Sequence, residues 1–223
     1  MKLVHPDLQF QIEFAENTIP VCIIESPVRW RKIQKEMFSQ CQGGDGSWVL
    51  STGEKELKLN KSVEMIFNPL QLEENQRRIL NGVLQSICQM AVNERYWKKG
   101  QELNTTIQGF FAELEMEYPF EYQINEEIDF SALAKAMGIR IEQEYETDLE
   151  RLLQYCILAK EILKANLIIF WNLHNYFSVQ ELESLYQEIS VRKWNVLLME
   201  NSVVHKIPVE KYYIIDKDNC EIY

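Results

Sequence analysis

The chain has 223 residues, a formal charge of −11 and 46% hydrophobic residues, enough for one large domain or two modest ones with a true core. No apolar run approaches bilayer length, and an acidic chain is a poor indiscriminate binder of nucleic acid, although a local basic surface remains open to it. The start, Met1 to Pro6, lacks the apolar stretch of a signal peptide, which predicts a cytosolic protein. Five cysteines (Cys22, Cys41, Cys88, Cys156, Cys220) include no close pair. Cys22, Cys88 and Cys156 stand among apolar residues, so buried thiols are expected rather than disulfides or a zinc site.

In chain order, Leu8, Phe10, Ile12 and Phe14 alternate with polar residues and predict a half-buried strand. Residues 20–24 read as a short buried strand. Ser26 and Pro27 then open a helix as N-cap and first helical residue, with Ile33, Met37, Phe38 and Cys41 on one side and a stop at Gly43 to Gly46. Residues 48–52 and 55–59 predict a hairpin turning at Gly53 and Glu54. Residues 63–67 form a further strand, broken by Asn68 and Pro69. The middle changes character. Ile79, Leu80, Val83, Leu84, Ile87, Cys88 and Ala91 fall at helical intervals within 73–97, and Leu103, Ile107, Phe110, Phe111 and Leu114 do so within 101–116. A short helix, 131–137, is stopped by Gly138, and 139–142 leads back towards the sheet.

From Thr147 the chain twice repeats an amphipathic helix running into a buried strand. Thr147 with Glu150, and Ser178 with Glu181, read as capping boxes. The strands 167–171 and 195–200 are apolar almost throughout, as in a parallel strand covered on both faces, and 212–216 predicts a third. The expected fold is therefore α/β with a mainly parallel sheet, a head of residues 1–70 and 139–223, and a helical leg of residues 71–138 inserted in it.

The first strand-to-helix turn of a nucleotide-binding sheet is glycine-rich, so that backbone amides can approach phosphate. Here that turn, residues 25–30, has no glycine. Glu25 repels phosphate and Pro27 lacks an amide, and the later strand ends in Trp171 and Asn172 rather than a magnesium-binding aspartate. ATP hydrolysis is not expected. Asp45 with Glu56 and Lys58 imitates the acid–acid–lysine pattern of metal-dependent nucleases, but Glu56 and Lys58 also alternate with Leu57 and Leu59 as on any half-exposed strand. The three histidines, His5, His174 and His205, are too scattered for a transition-metal cluster and read as surface or loop residues.

Carboxylates crowd the end of the second long helix and the loop after it: Glu113, Glu115, Glu117, Glu121, Glu126, Glu127 and Asp129. A solvated helix face explains such a run, and so would a site for a hard cation such as calcium. Basic residues gather elsewhere, at Lys55, Lys58 and Lys61, Arg77 and Arg78, Arg95, Lys98 and Lys99, and Lys135 and Arg140.

Residues 130–142 (FSALAKAMGIRIE), 167–172 (LIIFWN), 178–189 (SVQELESLYQEI), 195–200 (NVLLME) and 212–215 (YYII) resemble, in that succession, the small Csn adaptation-protein family of type II-A CRISPR–Cas systems. The resemblance implies an α/β head related to P-loop ATPase folds but without a working phosphate loop. It implies a non-enzymatic homotetrameric ring that holds calcium and takes double-stranded DNA ends through a lysine-lined hole. It further implies an antiviral role in spacer acquisition alongside the spacer-integration enzymes and the RNA-guided effector nuclease. The candidate DNA-binding residues are then Lys58, Lys61, Arg77, Arg78, Lys98, Lys99, Lys135 and Arg140. The candidate calcium ligands are Glu117, Glu126, Glu127 and Asp129.

Overall fold

The computed structural model describes every residue except 74, 75, 143 and 205. The chain divides into two compact units, Met1–Leu72 with Glu144–Tyr223, and Glu73–Gln143, which lies between those two stretches in sequence.

The first unit opens with two short strands, β1 (Lys2–Val4) and β2 (Ile12–Glu13). The predicted strand over 8–14 is thus extended pairing at only two residues. The alternation still sorts its side chains, with Leu8, Phe10 and Ile12 buried and Gln9, Gln11 and Glu13 exposed. β3 (Ile19–Ile24) is buried at all six positions, as a central parallel strand requires. α1 (Pro27–Cys41) has Pro27 at its first turn, where the missing N–H costs nothing, and the chain leaves it through Gly43 at φ +90°. Ile33 and Met37 face the core, whereas Phe38, predicted beside them, stands 48% exposed at the edge of that face. β4 (Val49–Thr52) and β5 (Lys55–Leu57) make the predicted hairpin, with Gly53 at φ +58° in its turn. A one-turn helix, α2 (Leu59–Ser62), replaces the end of the second hairpin strand and leads into β6 (Val63–Ile66).

The second unit is helical: α3 (Arg77–Ala91), α4 (Glu94–Glu117) and α5 (Phe130–Ala136). The break between the long helices falls earlier than the sequence suggests. Asn93 accepts a hydrogen bond from the Tyr96 amide at 3.2 Å and caps α4, so residues 98–100 are helical. Residues 74 and 75 of the first predicted helix lie outside the described residues. Gly100 is tolerated inside α4 because the backbone runs close to Phe130, which an added Cβ would meet at 3.3 Å. Gly138, at φ +67°, ends the short helix as expected.

The chain re-enters the first unit through α6 (Asp148–Glu161), β7 (Leu167–Trp171), a 3-10 turn at Leu173–Asn175, α7 (Val179–Val191), β8 (Asn195–Glu200), β9 (Glu210–Ile215) and β10 (Glu221–Ile222). Thr147 caps α6 through the Glu150 amide at 3.1 Å, but the Glu150 carboxylate reaches the Glu146 amide instead of the Thr147 one. Ser178 and Glu181 form the complete reciprocal box at the start of α7. Six strands make a sheet in the order β10-β9-β3-β8-β7-β6, every neighbour parallel except the antiparallel β10. A smaller antiparallel sheet runs β2-β1-β4-β5. One apolar cluster joins the two sheets through Ile33 and Met37 of α1, with Leu3, Ile12 and Leu50 on one side and Ile24, Ile169 and Leu197 on the other.

The fold is therefore mixed α/β with a mainly parallel sheet. All five cysteines are free thiols; burial pushes the Cys22 and Cys156 thiols up to about 12, which keeps them inert. Among the described residues no helix is long and apolar enough to cross a membrane.

Candidate nucleic-acid interface

The eight candidate DNA-binding cations are all exposed. Lys58 and Lys61 belong to the first unit, at the N-cap and in the last turn of α2. The other six belong to the second unit. Arg77 and Arg78 open α3, whose first turn holds no acidic residue. Lys98 and Lys99 lie in the first third of α4, Lys135 in the last turn of α5, and Arg140 just beyond Gly138.

The turn between β3 and α1 and the first helical turn after it contain no glycine. Arg29 donates to the Asp7 carbonyl at 2.8 Å and to Glu221 at 3.1 Å, and Lys32 pairs with Asp7 at 2.7 Å. Arg29 and Lys32 are thus held by Asp7 and Glu221.

Neither candidate metal site assembles. Among the described residues, no three histidine, cysteine, aspartate or glutamate side chains gather in a way that could hold a metal ion. Asp45 and Glu56, the nuclease candidates, are exposed, and Lys58 is the N-cap residue of α2. No observation favours the nuclease reading over that of solvated loop and hairpin positions. In the acidic loop, Asp129 Oδ1 caps α5 by accepting from the Ser131 and Ala132 amides at 2.8 and 3.1 Å. The Glu126 carbonyl accepts from the Asn104 and Gln108 side chains at 3.0 and 2.6 Å, and the Tyr122 hydroxyl donates to the Phe111 carbonyl. These bonds lace the loop onto α4, while the carboxylates of Glu117, Glu126 and Glu127 stay in solvent. The four residues thus do not fit a calcium cage within one chain.

Histidine placement departs from a surface reading. His5 and His174 both lie in connecting segments, yet each is buried against a carboxylate; His205 lies outside the described residues. His5 Nε2 meets Glu36 at 3.1 Å, with its ring tilted against that of Trp48. His174 Nε2 meets Glu210 at 2.8 Å and the Tyr186 hydroxyl at 3.2 Å. Glu210 also accepts from Tyr186 at 2.5 Å, from Tyr212 and from the Ile207 amide at 3.1 Å. Glu200 accepts from the His174 amide at 3.2 Å with one oxygen, and its other oxygen is buried without a hydrogen-bond partner among the described residues. Burial pushes the Glu200 carboxyl up to about 7. Burial opposes charge on His174 as well, but the Glu210 hydrogen bond and the two carboxylates outweigh it and raise the imidazole. The sequence signal for this cluster is Glu200 at the end of a strand whose preceding four residues are apolar.

A model of the family described as CRISPR-associated protein (Cas_Csn2) matches residues 40–219. A CRISPR-associated protein Csn2 of Streptococcus agalactiae is 31% identical over 108 residues, covering 48% of this chain and 46% of that protein. A CRISPR-associated protein Csn2 of Enterococcus faecalis is 30% identical over 86 residues, covering 39% of this chain and 38% of that protein. The matches thus span less than half the length of these relatives. The solved structure of a bacterial Atm1-family ABC exporter with ATP bound superposes with a TM-score of 0.44 at 7% identity, covering 93% of this chain and 33% of that one; a likeness so slight supports nothing further.

Proposed function

Because the chain belongs to the Cas_Csn2 family of CRISPR-associated proteins, we propose that it serves spacer acquisition in a type II-A CRISPR–Cas system as a non-enzymatic, ring-shaped homotetramer that binds double-stranded DNA ends. In this reading it works in the cytoplasm beside the spacer-integration enzymes and the RNA-guided effector nuclease. One observation carries the DNA part. On a chain of formal charge −11, Arg77 opens α3 with an exposed side chain and no acid in that turn, an arrangement that favours an anion such as phosphate. A monomer of that charge attracts a polyanion poorly. Four copies turning basic surfaces towards one duplex multiply a weak contact, since each bound site raises the effective concentration at the next.

Calcium belongs to the same proposal, with Glu117, Glu126, Glu127 and Asp129 as candidate ligands. Since these do not gather within one chain among the described residues, binding has to rearrange the acidic loop or draw on more than one chain.

Light scattering and incubation with linear duplex in magnesium test the reading together. A single species near four times the monomer mass that shifts linear DNA without cutting it supports the proposal. A monomer that binds duplex at full affinity, or cleavage that vanishes in Glu56→Ala, overturns it.

A further inference from the structure

The carboxyl ends of β6 and β7 carry an aromatic surface that the proposed duplex binding does not use. Phe67, one residue past β6, stacks on Trp171, the last residue of β7, with centroids 5.5 Å apart and planes at 17°. Trp30 of α1 meets Trp171 edge-on at 5.0 Å, and Phe38 of the same helix meets Phe67 edge-on at 5.9 Å. Trp171 is sealed, whereas Phe38 is 48% and Phe67 38% exposed. The inner pair therefore fixes the surface, and the outer pair presents ring area to solvent.

The charge beside it is one-sided. Trp30, Gln34 and Phe38 recur every four residues along α1, and the exposed Arg31 and Lys35 recur beside them with the same spacing. The one acid of this helix, Glu36, lies round the other side and is held by His5 and the Ser47 amide. Two cations four residues apart thus edge the rings. A partner that offers flat π faces to Phe38 and Phe67 and negative charge to Arg31 and Lys35 is a run of unpaired nucleotides, whose bases stack while the phosphates pass alongside.

We propose that this surface holds unpaired nucleotides at the end of a DNA duplex. The inference rests on the duplex-end reading above and adds to it a preference for frayed or tailed ends over blunt ones.

The test compares one duplex in two forms, blunt and with a short unpaired tail carrying 2-aminopurine, whose fluorescence falls when it stacks. Wild type should quench the probe and bind the tailed form roughly fivefold or more tightly than the blunt one, the low end of what one stacked base contributes. Phe38→Ala should lose the quenching and the preference while keeping blunt-duplex affinity, and Phe38→Trp should keep all three. If Phe38→Ala does not fold, the double variant Arg31→Gln, Lys35→Gln takes its place, with the preference shrinking and the blunt affinity held. Equal affinity for the two forms with an unquenched probe overturns the inference and leaves the duplex reading standing. So does a Phe38→Ala protein of altered assembly mass, because the surface then packs against a second copy. Failure to bind either form overturns both readings.

Discussion

His174 Nε2 and Glu210 Oε1 meet at 2.8 Å with their side chains 1% and 0% exposed, so this pair is sealed in the fold. The two residues stand 36 positions apart, and the contact ties the turn after β7 to the first residue of β9. Removing one member leaves the other buried without its counter-charge, which costs about 3–5 kcal/mol. His174→Ala and Glu210→Gln should each lower the urea midpoint strongly while leaving surface charge almost unchanged. A loss below about 1 kcal/mol in both would show that the pair is not a structural tie.

The same cluster sets a pH dependence. His174 and Glu200 are raised in the folded state, Glu200 to about 7 from 4.5. A group raised on folding stabilises fully below its unfolded value and loses that contribution as pH climbs through its folded one. Glu200 should therefore cost stability from pH 4.5 up through about 7, and His174 from 6.5 upward. Glu210 runs the other way: burial opposes its charge, but bonds from His174, Tyr186 and Tyr212 hold it below its usual range, so its contribution fails only in acid. Glu200→Gln should be more stable than wild type at pH 8 and lose that advantage at pH 5. Thermal melts across this range check the sign, and an unchanged pH profile in Glu200→Gln would contradict the assignment.

At the surface, the box at Ser178 gives a smaller and cleaner number. Ser178→Ala frees the Glu181 amide and should cost about 1 kcal/mol. Thr147→Ala should cost a similar amount, since that cap also holds one amide. Urea melts of the two variants check this, and no measurable loss in either would show that the caps do not hold their helices.

What the sequence made legible follows from range. β7 and β8 are apolar almost throughout, and the caps of α6 and α7 are written within four residues, so local rules found them. β1 and β2 are too short to leave a pattern, and only their partners across the small sheet define them. The start of α4 turned on Asn93 rather than Gly100, because a cap outweighs a tolerated glycine. Glu200 reads locally as the polar end of a strand. Its burial comes from the turn bearing His174, which topology alone brings to it. For the acidic loop, sequence supplied the carboxylates but not the Asn104 and Gln108 side chains that hold its backbone.

Duplex binding through the candidate cations should be electrostatic. Affinity should fall with salt by about 0.9 log units per log unit of salt for each phosphate neutralised, and Arg77→Gln or Lys98→Gln should each reduce that slope by about 1 without changing sequence preference. Fluorescence anisotropy at several salt concentrations reads this. A slope unchanged by all eight substitutions would remove these residues from the interface.

Calcium should raise the melting temperature of the assembled protein by mass action, roughly 2.7 kcal/mol of stabilisation at a hundredfold excess over Kd. Glu126→Ala combined with Glu127→Ala should abolish the rise. Magnesium at equal concentration is the control. If it reproduces the calcium effect on wild type, the acidic loop is only a solvated face screened by cations.

Competition between open and closed DNA reads end recognition. Labelled linear duplex bound to the protein is challenged with unlabelled duplex of the same sequence, either linear or covalently closed. A ring that loads over ends predicts that linear DNA displaces the label and closed-circular DNA of equal mass does not. Equal displacement by both forms would contradict end recognition, leaving a protein that binds the duplex from its side.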